Sequence, residues 1–355
     1  MWPDRRILDL LGIELPILQA PMAGSNGSRL AIAVAGAGGL GAIPCALLGA
    51  DKIRGEVGLF RAAVSAPINL NFFCHQTPAE DPARAALWRG RLAPYYAELG
   101  LDVEAPMTAA NRAPFDATFA ALIEELRPEV VSFHFGLPEP QLLDRVRRAG
   151  AKILSSATTV AEARWLADHG ADAVIAQGAE AGGHRGMFLT SRVASQVGTF
   201  ALVPQVVDAV ALPVIAAGGV ADARGLVAAL ALGAAAVQIG TAYLRTPEAA
   251  TSAIHRAALG TAGDDQTAIT NIFTGRPARA LVNRLLADLG PLSDLAPEFP
   301  AASTAILPLR AAAESQGSGD FSSLWAGQAV ALTREQGAAE FTRALAAEAL
   351  DRLQR

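Results

Sequence analysis

Eight short apolar runs recur along the first 241 residues: "PILQA" (16–20), "GLGAI" (39–43), "PINLNFF" (67–73), "VVSFHF" (130–135), "AKILSS" (151–156), "DAVIAQ" (172–177), "PVIAAGG" (213–219) and "AAVQIGT" (235–241). Each is short enough for a buried strand and bounded by turn residues. Most are separated by segments with helical spacing, such as "PQLLDRVRRAG" (140–150), "TVAEARWLADHG" (159–170) and "DARGLVAALALG" (222–233). Each of these three ends at a glycine, the usual residue just past a helix C-terminus. Strands alternating with helices imply parallel βαβ units, and eight units favour a closed (β/α)8 TIM barrel over an open sheet.

Two regions break the alternation. Residues 74–128 read as a helical insertion, and residues 245–355 as a C-terminal helical extension capping the barrel mouth. The extension carries a Pro-rich "LGPLSDLAPEFPAAS" (289–303) and a Ser/Gly-rich "ESQGSGDFSS" (314–323). The barrel is therefore expected over 1–73 and 129–244. With 355 residues, 52% of them hydrophobic, the chain has enough apolar material for one large core.

The same composition removes several functions. Net charge is −5 and no basic cluster is long enough to track a phosphate backbone, so no nucleic acid is expected. Cys45 and Cys74 are the only cysteines, without CxxC or zinc spacing, which fits a cytoplasmic, reducing setting and no metal. The charged start of "MWPDRRILDLLGIELP" is followed by Asp9 and Glu14, which does not suit a signal peptide. Residues 30–50 carry no charge, but glycines at 36, 38, 39 and 41 and Pro44 argue for a buried helix and strand rather than a membrane span. No G-x-S-x-G elbow and no HxxxH pair is present.

"GAGGLG" (36–41) matches G-x-G-x-x-G, yet the helix-like "SRLAIAVAGA" precedes it and the strand follows. A dinucleotide fingerprint needs the reverse order, so these glycines are read as a helix end packed closely on the second strand. The better phosphate site is late. Gly218-Gly219 and Gly240-Thr241 end the seventh and eighth strands, where barrels bind phosphate through backbone N–H groups. "QAPMAG" (19–24), Asn69 and Asn71, and Gln177 add irregular backbone and amide side chains at the same rim, suited to a flat heteroaromatic ligand. His184, in "QGAEAGGHRGMFLT" (177–190), follows the sixth strand closely and is the candidate proton acceptor, with Arg185 beside it disfavouring the imidazolium. His134 shares a strand face with Ser132 and Gly136, opposite Phe133 and Phe135, and is a core histidine or a substrate contact. His75, His169 and His255 have no supporting pattern.

Taken together, "QAPMAG", "PINLNFF", "SFHFG" (132–136), "SSATT" (155–159), "QGAEAGGHRG" (177–186), "LVPQVVDAV" (202–210), "PVIAAGGVADARG" (213–225), "LGAAAVQIGTAYL" (232–244) and "FTGRPAR" (273–279) resemble the histidine-containing class of the nitronate monooxygenase family, formerly called 2-nitropropane dioxygenases. The resemblance implies an FMN-binding TIM barrel with an added helical part. By position it implies FMN contacts at Met22, Asn71, Gln177, Gly182, Gly219, Gln238, Ile239, Gly240 and Thr241. His184 falls on the catalytic base of that class, removing the α-proton of a nitroalkane or binding the nitronate, and His134 becomes a candidate donor to the substrate. Oxidation of alkyl nitronates, propionate 3-nitronate among them, by O2 to carbonyl compounds and nitrite is the implied activity. A similar barrel and "EAGGH" turn occur in FMN-dependent enoyl-ACP reductases and NAD(P)H:quinone reductases, which form the alternative. A phosphosugar isomerase barrel would need a carboxylate base, and Glu180 is the one obvious candidate. The expected partners are a small nitronate or nitroalkane and O2, with no membrane; the sequence is compatible with a homodimer.

Overall fold

The computed structural model describes residues 1–107 and 112–355. In chain order the strands are β1 (Ile17–Gln19), β2 (Gly41–Pro44), β3 (Ile68–Phe73), β4 (Val130–His134), β5 (Lys152–Ala157), β6 (Ala173–Gln177), β7 (Gly183–His184), β8 (Val214–Ala217), β9 (Ala236–Ile239), β10 (Thr267–Thr270) and β11 (Ala278–Leu281). Eight of them form one parallel sheet in the order β1-β9-β8-β6-β5-β4-β3-β2. These are the eight apolar runs of the sequence. The sheet closes on itself: Gln19 N donates to Leu40 O at 2.9 Å and Leu40 N to Ile17 O at 3.0 Å, joining β1 to the entry of β2.

The strands read as continuous apolar runs because both faces are covered, one by the barrel interior and one by helices. The outer ring comprises Ser28–Ala35, Ala50–Ala63, Ala117–Leu126, Pro140–Arg148, Val160–Asp168, Thr199–Ala209, Ala223–Ala231 and Ala338–Leu353. Two of these correct the expected boundaries. Ala117–Leu126 packs on its ring neighbours through Ala120, Leu122 and Ile123, so the insertion ends before it. Ala338–Leu353 is the eighth ring helix, packed between Ala223–Ala231 and Ser28–Ala35, and is not part of the cap. The glycines after three ring helices, Gly150, Gly170 and Gly233, have φ of 95°, 96° and 92°. The helix-then-strand order around "GAGGLG" is as expected, and a Cβ at Gly41 would overlap the Ala31 backbone of the helix above it.

The cap is a separate layer made by both additions. Helix Pro82–Glu98 packs on helix Ala302–Ser315 through Trp88, Leu92 and Tyr96. Trp88 Nε1 donates to Ala302 O at 3.2 Å and Tyr96 OH to Ala305 O at 2.8 Å, so neither buried polar tip is left unpaired. Beneath it lies a small antiparallel sheet, β10-β11-β7, which the helical reading of 245–355 did not anticipate. Among the described residues, no helix is long and apolar enough to cross a membrane.

Candidate active site

A cavity of about 310 Å³ opens at the C-terminal ends of the barrel strands, under the cap. Of the residues singled out in the sequence, Met22, Asn71, His134, Gln177, Gly182, His184, Gly219, Gln238, Gly240 and Thr241 all line it. Ile239 does not. It ends β9 buried in the hydrophobic core, with its carbonyl accepting from Ala20 N at 2.8 Å.

One end of the cavity is backbone. Gly218 and Gly219 have φ of 113° and 74°, a region that costs an L side chain about 1–3 kcal/mol. A Cβ on Gly218 would also lie 2.8 Å from Ala181 N. A Cβ on Gly182 would come within 2.6 Å of the Ala326 carbonyl carbon, so the extension closes down on the "EAGG" turn. Thr241 Oγ1 accepts from Gly327 N at 2.9 Å, which leaves its hydroxyl hydrogen to donate elsewhere. Gln238 Oε1 is buried without a donor among the described residues, an acceptor waiting for a ligand N–H. Asn71 Nδ2 is spent on Ser132 Oγ at 2.9 Å and Ser132 O at 3.2 Å, while Asn69, two residues deeper, does not reach the cavity. Glu180 also lines this end, but its carboxylate takes Thr199 N at 2.7 Å and Thr199 Oγ1 at 2.8 Å. With that carboxylate committed to Thr199 at the start of the Thr199–Ala209 helix, the isomerase reading loses its one candidate base.

The other end holds the imidazole. His184 is not on a free turn: β7 pairs with β11, with His184 opposite Ala278 and Gly183 opposite Arg279. Its carbonyl accepts from Gln177 Nε2 at 2.9 Å and stands 3.1 Å from His134 Nε2, while Gln177 Oε1 accepts from Gly186 N at 2.7 Å. Its ring Nε2 is 2.9 Å from Thr274 Oγ1, and Nδ1 has no protein partner among the described residues. Phe299, Trp325, Phe135 and Phe73 surround the ring at centroid distances of 5.4, 5.2, 6.1 and 6.3 Å. Burial among them holds the His184 pKa well below the ordinary imidazole value, and the charges of Arg112 and Arg276 lower it further.

Three expectations change here. Arg185 is fully buried and turned away, donating to Gln177 O at 2.8 Å and Gln196 Oε1 at 2.9 Å; the guanidiniums acting on His184 are those of Arg112 and Arg276. Phe135 does not sit opposite His134. The strand ends at His134, and Phe135 takes φ of 74°, bringing its ring 4.5 Å from that of His134 and under the Arg276 guanidinium at 3.8 Å. His134 itself has both ring nitrogens engaged, Nδ1 3.0 Å from Ser156 Oγ and Nε2 on the His184 carbonyl, so it has no N–H left over for a substrate. Burial above all pushes its pKa to about 3, so it is neutral and holds the His184 backbone in place. Arg112, Phe299 and Trp325 were not singled out in the sequence, and Thr274 only as part of "FTGRPAR", because they come from the insertion and extension and reach the site only through tertiary packing.

The nitronate monooxygenase family model matches residues 4–348 of this chain. A nitronate monooxygenase of Pseudomonas aeruginosa is 43% identical over 347 residues, covering 97% of this chain and 98% of its own. One of Paraburkholderia phytofirmans is 40% identical, over 97% of this chain and 94% of its own. Among solved structures, the nitroalkane oxidase of Streptomyces ansochromogenes superposes with a TM-score of 0.89 at 37% identity, covering 98% of this chain and 99% of that one. FabK of Thermotoga maritima superposes with a TM-score of 0.76 at 28% identity, covering 100% of this chain and 98% of that one.

Proposed function

This chain belongs to the nitronate monooxygenase family, and from that premise we propose that it is an FMN-dependent nitronate monooxygenase with His184 as its base. Its substrates are alkyl nitronates, propionate 3-nitronate among them, oxidised with O2 to carbonyl compounds and nitrite. The observation that carries this reading is one cavity with a glycine and amide cradle at one end and the His184 imidazole, its Nδ1 without a partner among the described residues, at the other.

The residues present fit FMN. Gly218, Gly219 and Gly240 leave backbone open where a phosphate would lie, and Thr241 has a hydroxyl hydrogen to give. Gln238 Oε1 has no donor among the described residues, as the polar edge of a flavin ring would require. When bound, FMN supplies the electron acceptor and the route to O2.

The protein's share is acid–base and electrostatic. His184 is neutral because apolar rings and two guanidiniums disfavour its charged form. If Nε2–H is donated to Thr274 Oγ1, Nδ1 carries the lone pair and is the atom that takes the α-proton of a nitroalkane. As that proton leaves, negative charge moves onto the nitro oxygens. The Arg112 and Arg276 charges that oppose a lone imidazolium then favour the ion pair, so they act more on the transition state than on the neutral substrate. For a preformed nitronate no proton need be removed, and His184 serves as a binding group. Phe299, Trp325, Phe73 and Phe135 exclude water from this exchange.

The test is anaerobic mixing of the purified yellow protein with ethyl nitronate and, separately, with NADH, following the flavin spectrum. Bleaching at a catalytic rate by the nitronate and not by NADH is expected. Rapid bleaching by NADH alone would move the protein to the reductases of the same barrel.

A further inference from the structure

Behind the site runs a buried polar chain that the reaction as described does not use. Arg185 and Glu162 are both fully buried, and neither lines the cavity. Two neutral side chains join them. Arg185 Nε donates to Gln196 Oε1 at 2.9 Å, Gln196 Nε2 to Thr158 Oγ1 at 3.2 Å, and Thr158 Oγ1 to Glu162 Oε2 at 2.8 Å. The Glu162 carboxylate also accepts from Thr158 N and Phe188 N, each at 2.7 Å, and from Leu189 N at 3.1 Å. It therefore ties down the loop that follows β7 and anchors the chain at its far end.

The near end of the chain reaches His184. Arg185 Nη2 donates to Gln177 O, the last carbonyl of β6, at 2.8 Å. In return the Gln177 side chain donates from Nε2 to the His184 carbonyl at 2.9 Å and accepts at Oε1 from Gly186 N at 2.7 Å. These two backbone groups flank Arg185 in sequence, and Arg185 N donates to Pro277 O at 2.8 Å. The end of β6 and the residues after β7 thus grip each other through a closed set of bonds, and a shift of the Arg185 side chain moves the peptide that carries His184.

Burial lowers the Arg185 pKa to about 9, and an apolar side chain would fill this space without that penalty. What a guanidinium alone supplies is a rigid planar fork, here reaching two oxygens from different segments, Gln177 O and Gln196 Oε1. We propose that Arg185 is a positioning residue of the reaction: it holds the Gln177 carbonyl so that the Gln177 side chain fixes the His184 peptide, and Glu162 orders it through Thr158 and Gln196. This rests on the reading of His184 as the base, and the experiment separates the two.

Turnover of nitroethane and of ethyl nitronate is measured for the wild type, Arg185→Met, Arg185→Lys, Gln196→Leu, and Arg185→Met combined with His184→Asn. Arg185→Met is expected to lower kcat for nitroethane by about tenfold to a hundredfold, the range for a misplaced reacting group, with KM nearly unchanged and a smaller loss on ethyl nitronate. Arg185→Lys keeps the charge and one donor, and recovers part of the loss. Gln196 is half-buried, so Gln196→Leu breaks the chain without opening the core. It is expected to lower the same kcat by about threefold to tenfold, the range of one neutral hydrogen bond, and it carries the comparison if Arg185→Met does not fold. In the His184→Asn background, Arg185→Met should change the residual rate by less than about twofold, because a residue that acts through the imidazole has nothing left to act on. Equal loss on both substrates, or losses that multiply in the double variant, would make Arg185 a structural residue and overturn the proposal. Ring ¹⁵N spectra of the FMN-loaded proteins need no turnover: His184 should give one sharp set of signals in the wild type, broadened or doubled in Arg185→Met and Gln196→Leu. A wild type that oxidises neither substrate sinks the functional reading, and the spectra still decide the proposal, unchanged His184 signals overturning it.

Discussion

At the cradle end the cavity wall is backbone from barrel loops; at the imidazole end it is side chains from distant segments of the barrel and the cap. Gly218 and Gly219 adopt conformations set by local sequence, and a change there acts through φ and close approach. His184 is held by Thr274, Gln177 and His134 and enclosed by Phe299 and Trp325, so its chemistry depends on cap and barrel staying in register. The cradle should therefore respond to substitution by losing its ligand, and the imidazole end by losing proton transfer. The sharpest way to break this contrast is His184→Asn. Turnover of a neutral nitroalkane should fall by about 10²–10⁴, the usual contribution of general base catalysis, with far less effect on a preformed nitronate and none on FMN content. Equal losses on both substrates would remove the base assignment.

The contrast also explains what could be read from the sequence. The eight strands were legible because they are buried on both faces and spell short, mainly apolar runs bounded by turn residues. The glycine turns were legible because a left-handed backbone and a strand end leave few alternatives to glycine. Arg112, Phe299 and Trp325 left no such trace. An arginine becomes informative only once the structure shows what it faces, and Phe299 and Trp325 look like ordinary core residues until His184 is seen between them. Phe135 misled for a definite reason: strand alternation holds only to His134, and a non-glycine residue at φ of 74° turned the next ring to the same cluster.

Gly218→Ala tests the cradle. The new methyl needs a φ near 113° and the space occupied by Ala181 N, so a destabilisation of about 1–3 kcal/mol is expected together with colourless protein as isolated. A yellow, stable Gly218→Ala would place the phosphate elsewhere. The imidazole end should instead be sensitive to acid. His255 is buried, with Nε2 on the Trp325 carbonyl at 3.0 Å, and burial lowers its pKa from 6.5 to about 4. Between those values the unfolded chain binds the extra proton, so stability is full above pH 6.5 and declines as pH falls toward 4. At pH 5 this one group costs about 2 kcal/mol. His255→Gln keeps a donor for Trp325 without that titration, and its melting temperature should fall less between pH 7 and pH 5 than that of the wild type. An identical acid decline in both would show that His255 charges freely in the fold.

The smallest expected effect decides how the imidazole is held. Thr274 Oγ1 lies 2.9 Å from His184 Nε2 and 3.4 Å from the Arg276 carbonyl. A hydroxyl that donates to that carbonyl can accept from Nε2–H, leaving Nδ1 unprotonated; a hydroxyl that donates to Nε2 would put the hydrogen on Nδ1 and block the base. Thr274→Val keeps the shape and removes the choice. It should lower neutral nitroalkane turnover by about tenfold, the order of one hydrogen bond of about 1 kcal/mol plus partial loss of the reactive tautomer, with Thr274→Ser near wild type. Ring ¹⁵N shifts of His184 give the same answer without turnover. The Nε2–H form should dominate in the wild type and in Thr274→Ser and become mixed in Thr274→Val, whereas a wild type already in the Nδ1–H form would mean that this hydroxyl holds the ring against proton transfer.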